Sequence, residues 1–362
     1  TGALRDKLTV TFADQLAVNG EQTIPPGAAT DASAVPVSNV SQHSEMQKSP
    51  LSGSTEFSSD TMEASVTIQQ IEGKRVAEFS DVWLKGGVNV IHTSVDEKQN
   101  FTADGNVLFA KAGFQDNREI SLFGDPASVV NAKNRIEGQR IDVHEIGNAS
   151  VEGSGRIRFV VDVGLDGKPL AKPSPLDIYW GDRMTFSGRT AHFVGNIRAI
   201  MNNETDHDVE LTCAGLKVHF TDPIQLERSG RDDEFRVAGA TSPSSPAGEI
   251  QRIECESRVI IDIDMMKDGV VEAHHHAEFS DLEFNQLTGA FRATGPGLIE
   301  STQPDTGKQL TTSPRAVARA NTPVKTPEKT FVFIHATFIG QLQGNRNERF
   351  VQLKQHVRGV FG

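Results

Sequence analysis

Met184-Thr-Phe186-Ser-Gly188-Arg-Thr-Ala191-His-Phe193-Val-Gly195-Asn-Ile197-Arg-Ala199 places apolar side chains at alternate positions and punctuates them with glycine. Successive side chains of a strand point to opposite faces, so Phe186 and Gly188 share one face while Thr185 and Ser187 share the other. Related units recur at Phe79 to Val90, Leu282 to Gly295 and Phe338 to Phe361. The chain therefore reads as one all-β module built several times, a pattern that suits a scaffold or conduit better than a single catalytic pocket.

Outward from this unit, strand signals run almost continuously from Ala64-Ser-Val66-Thr-Ile68 to Phe220. Asp104-Gly105, Asp166-Gly167 and Asp268-Gly269 lie between alternating runs and predict hairpins, which makes the sheet mostly antiparallel. No window of ten or more residues carries a 3.6-residue apolar stripe with caps, so no helix is predicted. The expected organisation is an isolated strand in 1–17 and a Pro/Ser/Thr-rich linker or excursion over 18–62. Strand modules follow at 63–227, 249–300 and 330–362, separated by polar loops at 228–248 and 301–329. The chain starts at Thr1 without a signal-peptide pattern and its last strand pattern runs to Gly362, so both ends are expected to continue into a longer protein.

Composition narrows the function classes. A hydrophobic fraction of 37% with 20 phenylalanines against a single tyrosine selects aromatics without a polar handle, suited to a buried or lipid-facing surface. A net charge of -12 and the lack of a basic stripe argue against nucleic acid as a partner. No run approaches the ~20 apolar residues of a membrane-spanning helix. Cys213 and Cys255 each sit in a strand-like run, where a disulfide and two isolated buried thiols are both open readings. Their spacing does not suggest zinc.

Glu119-Ile-Ser-Leu122-Phe-Gly124-Asp-Pro126-Ala127, followed by Ile136-Glu-Gly138-Gln-Arg-Ile141-Asp-Val143, and Gly86-Gly87-Val88-Asn89-Val90 before it, resemble the OstA-like lipopolysaccharide-transport family. That family includes a periplasmic bridge protein and the N-terminal domain of an outer-membrane assembly protein, the organic solvent tolerance protein. The resemblance covers Thr67 to Phe220 best. It implies an elongated, twisted β-jellyroll whose two sheets form a groove for acyl chains. It also implies lipopolysaccharide or another glycolipid as ligand, and a place in the periplasm or cell envelope, in association with the outer membrane. Edge-to-edge stacking with similar jellyroll modules, including homo-oligomers, would follow.

The groove candidates are Trp83, Val88, Val90, Leu122, Ile141, Val143, Phe186, Phe193, Ile197, Phe284 and Phe291, which would equally serve as the dry core of a β-sandwich. In His274-His275-His276 only His274 and His276 share a strand face, with Glu272 and Glu278 on the same parity; the triplet is assigned to structure or surface, and no metal is predicted. Asp262 and Asp264 share a face about 7 Å apart, a spacing a glycosidase pair could use but also that of any half-exposed strand. No Gly-x-Ser-x-Gly elbow, P-loop or HExxH motif occurs, and neither enzymatic activity nor a cofactor is expected. The rival to a lipid conduit is a structural or adhesive envelope scaffold without a ligand.

Overall fold

The computed structural model describes residues 9–13, 15–17, 54–71, 74–94, 100–111, 119–131, 134–144, 148–163, 169–203, 207–221, 250–267, 269–305 and 330–362. They contain strands and no helix. The strands are β1 (Thr9–Ala13), β2 (Gln15–Ala17), β3 (Ser54–Ser58), β4 (Thr61–Ile71), β5 (Lys74–Thr93), β6 (Phe101–Lys111), β7 (Glu119–Asn131) and β8 (Asn134–His144). Next come β9 (Asn148–Glu152), β10 (Gly155–Val163), β11 (Pro169–Trp180), β12 (Arg183–Ser187), β13 (Thr190–Asn203), β14 (His207–Phe220) and β15 (Ile250–Lys267). The last are β16 (Val270–Asn285), β17 (Ala290–Thr294), β18 (Gly297–Pro304), β19 (Phe331–Phe338), β20 (Gln341–Asn345), β21 (Phe350–Lys354) and β22 (Arg358–Phe361).

Every pairing among them is antiparallel, and from β3 onward they form a meander of bent rungs. β5 to β8 and β13 to β16 pass through the bend as single strands. Elsewhere the bend splits a rung in two: β3 with β4, β9 with β10, β11 with β12, β17 with β18, β19 with β20, and β21 with β22. The ladders shift register at the bend, for example between Lys85 and Val88, Phe123 and Ala127, and Val194 and Ile197. Stacked, these bends make a crease that divides the ribbon into two arms. Arm 1 holds β3, β10, β11, β18, β19 and β22 with one half of each long strand; arm 2 holds β4, β9, β12, β17, β20 and β21 with the other halves. At about 4.8 Å per rung, the ribbon extends roughly 60 Å. This is the elongated all-β stack that the alternating sequence predicts.

The repeating unit Met184 to Ala199 shows how sequence makes one turn and one bend. Gly188, at a φ of 57°, turns β12 into β13, and the pair holds register from Arg183↔Val194 to Ser187↔Thr190. Gly195 then bends β13 with a φ of 88°, and a Cβ there would lie 2.5 Å from the Asp182 carboxylate. Only glycine meets both demands.

Asp104-Gly105 is not a hairpin. β6 runs straight through it, and the residue lies in the crease opposite Val88, where a Cβ would come within 2.7 Å of the Phe123 carbonyl oxygen. The glycine serves close approach rather than a turn. Asp268-Gly269 is flanked by a hairpin, since β15 and β16 pair down to Lys267↔Val270 with Gly269 at a φ of 75°. Asp166-Gly167 falls outside the described residues.

Three boundaries also differ from expectation. β1 is not isolated, because Thr9↔Glu56 and Val10↔Thr55 join it to β3. Ordered strand begins at Ser54, inside the expected 18–62 linker. β3 is polar in composition, yet its backbone pairs fully with Asn89 to Thr93 of β5, and only part of its length faces inward. The modules 63–227, 249–300 and 330–362 are consecutive rungs of one ribbon, joined by β14–β15 and β18–β19 ladders, and β18 continues to Pro304. The rest of the expected linker and loops, 18–53, 228–248 and 306–329, lies outside the described residues, as do 222–227 and 249 at the edges of the expected modules.

Candidate functional site: the inside of the crease

Alternation along each rung and register between rungs together sort the apolar side chains into rows. In arm 2, beside the crease, one cross-strand row runs Leu84, Leu108, Leu122, Ile141, Val151, Met184, Phe193, Leu216, Cys255, Leu282, Ala293, Leu342 and Leu353. A second row lies further from the crease. It includes Val82, Ile120, Val143, Phe186, Ala191, Val218, Ile253, Phe284, Phe291 and Val351. In arm 1 a third row runs from Val90 through Ala103, Val129, Ile136, Ile157, Ile178, Ala199, Leu211, Ile261, Ala277 and Ile299 to Ala336. No charged residue interrupts any of them.

Burial grades across the rows. Most residues against the crease are closed off, Leu282 and Leu353 near the last rungs being partly buried: Phe193 is 0% exposed and its ring meets Trp180 at 5.5 Å. In the second row Phe186, Ala191 and Val218 are also buried, so the ribbon is shut at its middle, where Phe186 stands 6.3 Å from Phe220. Toward both ends the same row opens: Val82, Ile120, Phe284 and Phe291 are only partly buried, and Val351 on the last rung is 60% exposed.

Ten of the eleven groove candidates lie on this inner face: Val88, Val90, Leu122, Ile141, Val143, Phe186, Phe193, Ile197, Phe284 and Phe291. Trp83 does not. It sits on the opposite face, 37% exposed, against Phe109 with the Lys85 ammonium 5.9 Å from its ring. Its inward neighbours are Val82 and Leu84, and the Val-x-Leu alternation ahead of Gly86 is the signal that assigns them. Leu84, Leu216 and Val218 are further row members, outside the eleven sequence candidates.

The outer face is polar and held by cross-strand charge pairs, among them Arg198–Glu210 at 2.6 Å and Lys217–Glu256 at 2.5 Å. Partial burial pushes the Asp177 carboxyl up, but hydrogen bonds donated by Arg158 and Arg156 outweigh it and hold the group below the ordinary carboxylate range. His274 and His276 belong to this face, and their partners are the two aspartates of the neighbouring strand. His274 Nδ1 donates to Asp264 and His276 Nδ1 to Asp262, each at 2.7 Å, while His276 Nε2 lies 3.2 Å from Glu278. The Asp262 hydrogen bond raises the His276 pKa. Glu272 lies 3.7 Å from Lys267. The carboxylates that invite a glycosidase reading are thus the partners of the histidines that invite a metal reading, and no group of three or more metal-ligating side chains with suitable geometry occurs among the described residues. His275 points inward beside Ser301, where burial lowers its pKa.

Cys213 and Cys255 come together inside the crease. Both are buried and free, and the two thiols are hydrogen-bonded to each other, which lowers the pKa of Cys213 and raises that of Cys255. Their separation of 42 residues hides a contact that only the β14–β15 pairing creates.

Comparison with family models, with curated proteins and with solved structures finds no match. Among the described residues no helix is long and apolar enough to cross a membrane.

Proposed function

We propose that the chain is a non-enzymatic lipid-handling protein of the cell envelope, which shelters the acyl chains of lipopolysaccharide or another glycolipid inside the crease on their way between membranes. The observation that carries this reading is the set of uninterrupted, register-matched apolar rows, partly uncovered toward both ends of the ribbon. Burial of an acyl chain gains about 0.8 kcal/mol per methylene, so a dozen methylenes supply roughly 10 kcal/mol before the loss of chain and ligand freedom. An acidic protein can carry such a ligand, because the headgroup stays in water or is bridged by cations.

The ribbon's ends support stacking of modules, either copies of this chain or similar jellyrolls. β1 covers Thr55 and Glu56 of β3, so the unpaired edge of this end is that of β4, where residues 60–65 carry Asp60 and Glu63, the latter ion-paired with Lys85 at 2.9 Å, while residues 349–358 on the last rung carry Arg349, Lys354 and Arg358 and no carboxylate. The unpaired edges and this difference in charge favour head-to-tail approach, which would extend the apolar rows from one module to the next.

The closed midsection favours a second reading, an envelope scaffold whose inner faces meet only each other. One experiment separates the two. A photoreactive phenylalanine analogue replaces Phe284 on the inner face or Thr185 on the outer, in chain expressed in a lipopolysaccharide-producing host. Lipid transport requires a glycolipid adduct at 284 and none at 185. No adduct at either, with a bare mass by native mass spectrometry that stays bare when lipopolysaccharide is added, rejects it in favour of the scaffold.

A further inference from the structure

We infer that Cys213 and Cys255 form a redox-switched clasp: an intramolecular disulfide that locks the two arms together at the closed midsection. The argument is geometric and does not depend on what the crease holds. Cys213 follows Thr212, which pairs with Ile260 in arm 1, and Cys255 pairs with Leu216 in arm 2. Between Thr212↔Ile260 and Gly215↔Glu256 the β14–β15 ladder is interrupted. On β15 the interruption is taken up by Ser257 and Arg258, both at left-handed φ values of 58° and 54°. Both thiols are buried beside this interruption, 5% and 2% exposed, in a cluster that includes Phe193, Leu216 and Val259; the Cys255 thiol is hydrogen-bonded to Cys213, and Cys213 Sγ donates to the Gly215 carbonyl oxygen at 3.2 Å. A covalent bond here would restore across the crease the restraint that the ladder lacks.

The chemistry is thiol–disulfide exchange with a low-molecular-weight disulfide as oxidant. The Cys213 thiolate attacks one sulfur of the oxidant, breaking its S–S bond and releasing one thiol. Cys255 then loses its proton to that released thiolate or to solvent and attacks the Cys213 sulfur. The protein disulfide forms, the second thiol leaves, and two electrons and two protons end on the oxidant. The hydrogen bond between the thiols suits this order, since it favours the thiolate at Cys213 and keeps Cys255 protonated until the second step. Burial makes the exchange slow in the closed ribbon and faster as the midsection opens.

The test uses the full chain, reduced and then incubated with oxidised glutathione. Thiols are counted after denaturation, the intact mass is read, and the unfolding temperature is compared before and after oxidation. The clasp requires loss of both thiols, a mass lighter by two hydrogens, and an unfolding temperature higher by roughly 4 °C or more. Cys213→Ser and Cys255→Ser, each keeping a small buried side chain, should retain one thiol and show no such rise. Three results overturn the inference: thiols that persist in the folded chain yet pair once it is unfolded in urea, a stable glutathione adduct without ring closure, or a disulfide that leaves the unfolding temperature unchanged.

Discussion

Phe193→Ala and Phe284→Ala should differ in effect although both remove a phenyl ring from the same face of the same ribbon. Phe193 is wholly buried beside the crease, between Met184 and Leu216 in its row and against the Trp180 ring. Truncation leaves a cavity that the hydrogen-bonded rungs on either side cannot collapse, and costs about 3–5 kcal/mol. Phe284 lies in the second row, partly buried, between Ile253 and Phe291, with the Arg346 guanidinium 5.4 Å from its ring. Its side chain is open to water on one side, so truncation in the ligand-free chain forfeits about 1–1.5 kcal/mol, half of a full burial.

The assay has to be local. Each rung touches mainly its neighbours, and such an array need not unfold as one unit. Amide exchange followed by mass spectrometry at increasing urea, on peptides covering β12 to β14 and β16 to β17, gives a stability for each region. Phe193→Ala should raise exchange in the first region by about two to four orders of magnitude, and Phe284→Ala should raise it in the second by about tenfold. Equal, large effects would mean that the arms are packed together along their whole length, so that the graded interior is wrong. An effect of Phe193→Ala below about 1 kcal/mol would mean that the crease itself is loosely filled.

Gly155→Ala should destabilise by about 1–3 kcal/mol or more, read by the same exchange measurement over β10 and β11, because its Cβ would lie 2.3 Å from the Trp180 ring and 2.4 Å from the Glu137 carbonyl oxygen. His276, held above its ordinary pKa chiefly by Asp262, contributes stability that is full below about pH 6.5 and is lost as pH rises through the raised folded value. His276→Gln should therefore lower the urea midpoint more at pH 6 than at pH 8.5, and an equal loss at both would show that the hydrogen bonds to Asp262 and Glu278 do not depend on charge. If the oppositely charged ends drive stacking, sedimentation should show self-association at low salt that fades toward about 0.5 M, and Lys354→Glu with Arg358→Glu should abolish it; association indifferent to both would rule charge out.

The architecture was legible wherever side-chain parity carried the information. Met184, Phe186, Ala191 and Phe193 alternate strictly, and all four are buried on one face. Parity needs the right phase, and at Trp83 size misled: the large aromatic faces outward while Val82 and Leu84 face the crease. The strand β3 was illegible in a Ser/Thr-rich context, because backbone pairing to β5 holds it and composition reports only on burial. The Asp104-Gly105 pair shows a glycine whose sequence context signals a turn while its environment demands close approach, and only the neighbouring Phe123 carbonyl distinguishes the two.

Alternation says which face a residue occupies, and it is silent on how near the other arm stands. Phe193 and Phe284 look alike in sequence, each an apolar residue in an alternating run, yet one is sealed and the other half-open. The difference comes from distance to the bend together with position along the ribbon: Phe284 lies one residue pair further from the crease than Phe193, in a row that is buried at Phe186, Ala191 and Val218 in the middle and opens toward the ends. The bend positions are set by Gly86, Gly105, Gly124, Gly138, Gly195 and Gly215 on successive long rungs, with Ser257 and Arg258 at left-handed φ standing in for glycine on β15. A map of the interior therefore requires two periodicities at once, apolar alternation for the face and bend-to-bend spacing for the depth. The second, taken with nearness to the ribbon's ends, identifies Val82, Ile120, Phe284 and Phe291, rather than the buried Phe186 of the same row, as the positions where a ligand would find room.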